Sequence, residues 1–176
     1  LELSSLTGIV KKKDSIISFE NTKMFFGNSN LNGNLKLDYS NIVGSDIYSS
    51  EFINSIYMNL DIKDSNISSK DIGNIFTNFK TSYDESWTIN TTVEGYVDDL
   101  FIKNFSLNNS RNTIELKSDI KNLFQDNYLL AINILNFDID SKEIDKVFPN
   151  FFGTILPSSL KTFGRFKMDG NIDLKS

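Results

Sequence analysis

The sequence predicts a mainly β protein built as an antiparallel meander. Apolar residues recur at every second position over most of the chain, the period of a strand with one buried face. Asn, Ser, Asp and Gly gather between these stretches, where tight turns need them. No long stretch has helical periodicity, so crossover helices and parallel βαβ units are not expected.

The elements follow in order. A first strand is expected within Ser15–Phe26. In the next, Leu31, Gly33, Leu35, Leu37 and Tyr39 share one face, opposite Asn32, Asn34, Lys36 and Asp38. Ile56, Met58, Leu60 and Ile62 then alternate with Tyr57, Asn59, Asp61 and Lys63. Trp87, Ile89, Thr91 and Val93 mark another strand, and Asp99–Leu107 a further one. Ile114, Leu116, Ser118 and Ile120 oppose Glu115, Lys117, Asp119 and Lys121. The stretch from Leu129 to Ile139 begins apolar on both faces. Phe166, Met168, Gly170, Ile172 and Leu174 oppose Lys167, Asp169, Asn171 and Asp173. About nine strands are expected, each with a face to be buried in a sandwich, a barrel or a groove.

Two similar ten-residue words interrupt the alternation: "ISSKDIGNIF" from Ile67 and "IDSKEIDKVF" from Ile139. Each reads as a short helical turn, near 69–76 and 141–148. Ser68 and Asp71, like Asp140 and Glu143, have the spacing of a capping box; Ile67 with Ile72, and Ile139 with Ile144, have that of a hydrophobic staple. Ile72, Ile75, Phe76 and Phe79 repeat helically, as do Ile144, Val147, Phe148 and Phe151. The match continues through "IFTNF" and "VFPNF", and a Gly-centred strand follows each word. The chain therefore reads as one continuous body of two repeat-like units, approximately 1–79 and 80–151, with 152–176 opening the next.

Composition narrows the function. The 176 residues are 39% apolar and 12% aromatic, enough for a packed structure. The net charge of −5 argues against nucleic acid and against electrostatic docking on anionic lipid. Lys11-Lys12-Lys13, the only basic run, reads as a solvated turn. The chain has no Cys and no His, which removes the thiolate, the commonest general base and the commonest transition-metal ligand. Asp138 with Asp140, Asp98-Asp99, and Asp169-x-Asn171-x-Asp173 are the best acidic clusters. The last opens like a Ca²⁺ loop but has Leu174 where that loop needs Gly. An enzyme, a metal and a cofactor are not expected. The chain starts at Leu1 without an initiator Met and stops at Ser176 within an expected strand, so it reads as part of a longer protein.

The runs "SIISFENTKMFFGNSNLNGNLKLDY", "SNISSKDIGNIF", "VEGYVDDLFIKNFSLNN" and "FDIDSKEIDKVFPNFFGTILPSSLKTFGRFKMDGNIDL" resemble the TamB branch of the AsmA-like proteins. There, strand pairs alternate with an S-x-x-D/E-I/L helical turn, and a segment with the pattern of Pro149, Leu156-Pro157, Leu160, Gly164 and Gly170 opens the next unit. The first unit departs from this pattern, with Thr77 where Pro149 would fall. The resemblance implies a sheet curled into an elongated, apolar-lined trough, the β-taco of bridge-like lipid transfer proteins. It implies a periplasmic location in a parent anchored in the inner membrane. It also implies phospholipid transport to the outer membrane, a role in outer-membrane biogenesis and protein secretion, and an outer-membrane TamA-type barrel partner.

On that reading the groove candidates are Leu35, Leu37, Tyr39, Met58, Leu60, Ile62, Val93, Leu116, Ile120, Ile132, Ile134, Phe166, Met168 and Ile172. Their partners would be phospholipid acyl chains. Nine strands at about 4.8 Å each make a body roughly 43 Å long, about one bilayer thickness, so bridging two membranes would take further units. The alternative is an extracellular or periplasmic β-sandwich that serves as a binding or adhesin module, with both apolar faces sealed in one core.

Overall fold

The computed structural model describes residues 3–42, 54–75, 81, 83–147 and 157–175. They form one nine-stranded antiparallel sheet in strict sequence order. The strands are β1 (Leu3–Lys13), β2 (Ile16–Phe26), β3 (Ser29–Asp38), β4 (Tyr57–Ser68), β5 (Ser86–Tyr96), β6 (Leu100–Asn108), β7 (Thr113–Lys121), β8 (Leu129–Asp140) and β9 (Arg165–Lys175). Helix α1 (Ser69–Ile75) follows β4, α2 (Ser141–Val147) follows β8, and a 3-10 helix (Ser158–Phe163) precedes β9. The sheet does not close: β1 and β9 are its edges. The lysine run, expected as a turn, is the end of β1, which pairs with β2 up to Lys13 and Ile16.

Every even-numbered strand carries a bulge at nearly the same height. Between Phe19 and Thr22, two residues of β2 face the single Asn34 of β3. Lys63 and Asp64 of β4 face Asn90 of β5, Lys103 and Asn104 of β6 face Lys117 of β7, and Leu135 and Asn136 of β8 face Asp169 of β9. An extra residue of this kind bends its strand and sharpens the local twist. At the first two bulges the chain adopts a left-handed conformation, at Asn21 (φ 49°) and Asp64 (φ 45°), residue types that tolerate it. The displaced amides are not left unpaired: Asn21 N–H donates to Asn34 Oδ1 at 2.9 Å, and Asp64 N–H donates to Asn90 Oδ1 at 2.8 Å. On the bulge line, β3 places Gly33, where a Cβ would collide with the Asp61 carbonyl oxygen of β4.

The two helices end alternate hairpins in the same way. Ser69 N–H donates to Glu85 O and its hydroxyl to Tyr83 O; Ser141 N–H donates to Gly164 O and its hydroxyl to Lys161 O. At seven residues each, the helices are too short to persist on propensity and depend on such anchors.

The reciprocal capping boxes expected from sequence do not form. Ser68 Oγ accepts from Lys70 N–H at 3.1 Å, and Asp140 Oδ1 accepts from Lys142 N–H at 3.0 Å and Glu143 N–H at 3.3 Å. The backbone amides of the two caps, however, turn to the preceding hairpin. Ser68 N–H donates to Ser29 Oγ, and Asp140 N–H donates to Asn112 Oδ1. With that site taken, the third-position acids reach the hairpin instead. Asp71 accepts from Asn28 N–H and Ser29 Oγ, and Glu143 pairs with Arg111. Gly27 (φ 53°) makes this approach possible, since a Cβ there would strike the Asp71 carboxylate.

The buried core lies at the helix-bearing end of β5 to β9. Trp87, Leu107, Ile114, Ile134, Phe137, Ile139 and Ile144 form it, with Ile67, Ile72 and Leu160 packed against it. The four residues expected as staples are thus all in or against this core. Phe76, Phe79, Phe148, Phe151, Thr77, Pro149 and Leu156 lie outside the described residues.

Candidate functional site: the apolar face

Cross-strand pairing sorts the inward-facing side chains into rows that run across the strands. Directly paired residues point to the same side. One row reads Val10, Phe19, Leu35, Leu60, Val93, Ile102, Ser118, Ile132 and Ile172, one residue from each strand. Its single polar member, Ser118, is buried and donates to Ala131 O at 2.9 Å. The next row, away from the helices, contains Ile17, Leu37, Met58, Gly95, Leu100, Ile120, Leu130 and Leu174. The row along the bulge line contains Ile62, Thr91, Phe105, Leu116 and Ile134, and ends at Gly170.

The sequence-derived candidates therefore lie on one face. Leu35, Leu60, Val93, Ile132 and Ile172 share the first row; Leu37, Met58 and Ile120 the second; Ile62, Leu116 and Ile134 the third. Met168 pairs with Phe137, and Phe166 with Ile139, nearer the helices. Phe137 and Phe166 meet edge to face, their ring centroids 6.2 Å apart. Tyr39 has the same parity but follows the end of β3, and its hydroxyl donates to Asp14 O at the β1–β2 turn.

The face has two regimes. Ile134 is 7% exposed, and Leu116, Ile132, Phe166, Met168 and Ile172 pack against the core around it. Leu35, Leu60 and Ile62 instead line an open cavity of about 240 Å³ over β1 to β4, shared with Phe19, Met24 and Leu31. Thr22 also lines it, and among the described residues its buried Oγ1 has no hydrogen-bond partner.

Sequence reasoning missed Phe19, Ile102, Phe105 and Leu107 as members of this face. The bulges at Glu20-Asn21 and Lys103-Asn104 shift the alternation by one residue and hide it. The signal that could have found them is the pair of short alternating runs on either side of each break.

The acidic clusters have structural roles. Asp98 is 6% exposed and shapes the loop after β7: its Oδ1 accepts from Phe124 N–H at 2.9 Å and its Oδ2 from Gln125 Nε2 at 2.8 Å. Asp99 accepts from Asn122 N–H. Asp138 is held by Arg165 at 2.7 Å and Lys167 at 2.9 Å. The hydrogen bond from Arg165, then that from Lys167, lowers its carboxyl below the usual aspartate range. Asp169 and Asp173 stand exposed on edge strand β9. Among the described residues no cluster of acids is arranged to hold a metal, and no helix is long and apolar enough to cross a membrane.

No family model, curated protein or solved structure matches this chain.

Proposed function

We propose that this sheet is a segment of an apolar-lined trough that carries phospholipid acyl chains. The observation that carries the reading is the row from Val10 to Ile172: one residue from each of nine strands, all apolar but the internally bonded Ser118. Hydrophobic attraction is non-directional, so a row of similar side chains holds an acyl chain without fixing it at one point. The bulges on β2, β4, β6 and β8 supply a bend along one line, which would curl the sheet around that row. Units 1–79 and 80–151 each end in a helical corner, and 152–176 opens a third. The repeated anchoring of Ser69 and Ser141 supports that division.

The resemblance to the TamB branch extends the proposal to the parent protein. It would stand in the periplasm, anchored in the inner membrane. It would pass phospholipid between inner and outer membranes, support outer-membrane biogenesis, and engage a TamA-type barrel through another part of the chain. The role is that of a conduit, with no catalytic step. The described strands form one sheet rather than two facing layers, which favours a trough over a sandwich-type binding module.

The test places a photo-crosslinking residue at Met58, Leu60 or Ile132 in the full-length parent in cells. Capture of phospholipid is expected. Failure at every position in folded protein sinks the conduit and leaves the binding module in front.

A further inference from the structure

The edge strand β9 repeats part of β3. Leu31 to Leu37 read LNGNLKL, and Met168 to Leu174 read MDGNIDL. The two glycines lie in one row: direct pairing links Gly33 to Gly170 through one inward residue on each strand between them. β3 has a strand on both sides. β9 has β8 on one side and, among the described residues, no strand on the other.

β3 shows what the glycine does at such an edge. Gly33 pairs with Ile62 of β4, and a Cβ on it would collide with the carbonyl oxygen of the preceding residue, Asp61. Two later strands meet the same approach with a hydroxyl. Thr91 of β5 pairs with Phe105 and donates to Asn104 O at 2.9 Å; Ser118 of β7 pairs with Ile132 and donates to Ala131 O at 2.9 Å. In all three cases the carbonyl comes from the next strand, one residue before the direct partner. At Gly170 the corresponding space is open: a Cβ there would meet no atom of the described residues within 4 Å.

We propose that the free edge of β9 receives a tenth, antiparallel strand of the same trough, which turns a carbonyl toward Gly170 as β4 does toward Gly33. The inference rests on the reading of 152–176 as the opening of a further unit, and not on what the trough carries. The register of β4 on β3 gives the chemistry of that strand. Met58, Leu60 and Ile62 stand opposite Leu37, Leu35 and Gly33, so Leu174, Ile172 and Gly170 call for apolar residues at the same intervals. On the other face Asp169 and Asp173 are exposed, and acids opposite them would be repelled. Gly170 has φ 144°, which by itself favours glycine, and the experiment separates that role from docking.

The probe is a fluorescent peptide with the sequence of β4, Tyr57–Ser68, added to the purified chain. Binding is read by anisotropy and located by hydrogen exchange. The peptide should protect amides of β9 and leave those of β1 unchanged. A peptide carrying Ile62→Glu, which puts a charge on the apolar face opposite Gly170, should bind roughly tenfold more weakly or worse. In the chain, Gly170→Val should weaken binding of the native peptide to a similar degree, because its side chain fills the space of the carbonyl. Gly170→Ser should keep most of the affinity, because its hydroxyl can donate to that carbonyl as those of Thr91 and Ser118 do. Both variants carry the backbone strain of this position, so an equal effect of the two assigns Gly170 to its own conformation and overturns the proposal. Absence of binding, protection on β1 instead of β9, or equal binding of the two peptides overturns it as well. So does self-association of the chain through β9, which makes a second copy the occupant. The peptide comparison needs no substitution in the chain and decides even where a variant fails to fold. Phospholipid capture in the parent is read separately: its failure sinks the conduit and leaves the edge, and failure of the peptide leaves the conduit standing.

Discussion

A charge placed at Ile134 and another at Met58 should have opposite fates, although both residues lie on the same face of the same sheet. Ile134 is 7% exposed within the cluster of Trp87, Leu107, Ile114 and Phe137. Ile134→Glu gives up most of a buried aliphatic side chain, about 2 kcal/mol. It also leaves a carboxyl group in apolar surroundings without a partner, at a cost of several kcal/mol more. The sum, about 5 kcal/mol or above, matches the whole stability of many domains. Met58 is half-buried, and its neighbour on β5 is Gly95, which has no side chain to crowd it. Met58→Lys should cost about 1 kcal/mol in lost apolar contact, because the flexible stem can lift its ammonium into water. Urea unfolding followed by the fluorescence of Trp87, which is 0% exposed in the folded chain, reads both variants. Ile134→Glu should be largely unfolded without denaturant, whereas Met58→Lys should retain a cooperative transition. If both unfold alike, the face is sealed throughout and the trough reasoning fails. If both are equally stable, the core beneath the helices is not packed as described.

Asp140→Ala removes the side chain that receives Lys142 N–H and Glu143 N–H, and should cost about 1 kcal/mol in chemical denaturation; an unchanged midpoint would refute the cap. The depressed carboxyl of Asp138 contributes stability that is fully present above the unfolded-state pKa and is lost as pH falls through the lower folded-state value. Asp138→Asn should therefore weaken the protein at neutral pH and flatten its decline below the ordinary aspartate range, as read from urea midpoints at pH 7 and pH 3. Thr22→Val replaces a buried hydroxyl that lacks a partner by a methyl group, and should leave stability unchanged or raise it by about 1 kcal/mol; a clear loss would show that the hydroxyl is bonded in solution.

Alternation alone determined that this chain is a meander of strands and which residues of β3, β5, β7 and β9 share a face. Those strands carry no bulge, so a period of two holds from end to end: Leu35 and Leu37, Trp87 and Val93, Leu116 and Ile120, Phe166 and Ile172 are found where the pattern places them. In β2 and β6 the same pattern breaks at Glu20-Asn21 and Lys103-Asn104, because an inserted residue reverses every side chain beyond it. Whether a break is a bulge or a strand end depends on the neighbouring strand, and a single segment does not carry that information. The helical words were legible for a similar reason, since Ile67, Ile72, Ile139 and Ile144 needed only local spacing. Half of each capping box was legible too, since Ser68 and Asp140 accept helix amides as their spacing suggests; the partners of their own amides were not. Ser29 and Asn112 take the amides of Ser68 and Asp140 from hairpins far away in sequence. The division of the apolar face into a closed region around Ile134 and an open one around Leu60 was likewise a tertiary decision. Both residues are aliphatic and inward-facing; only what packs above them differs, and that is set by where Ile144, Ile72 and Leu160 come to rest.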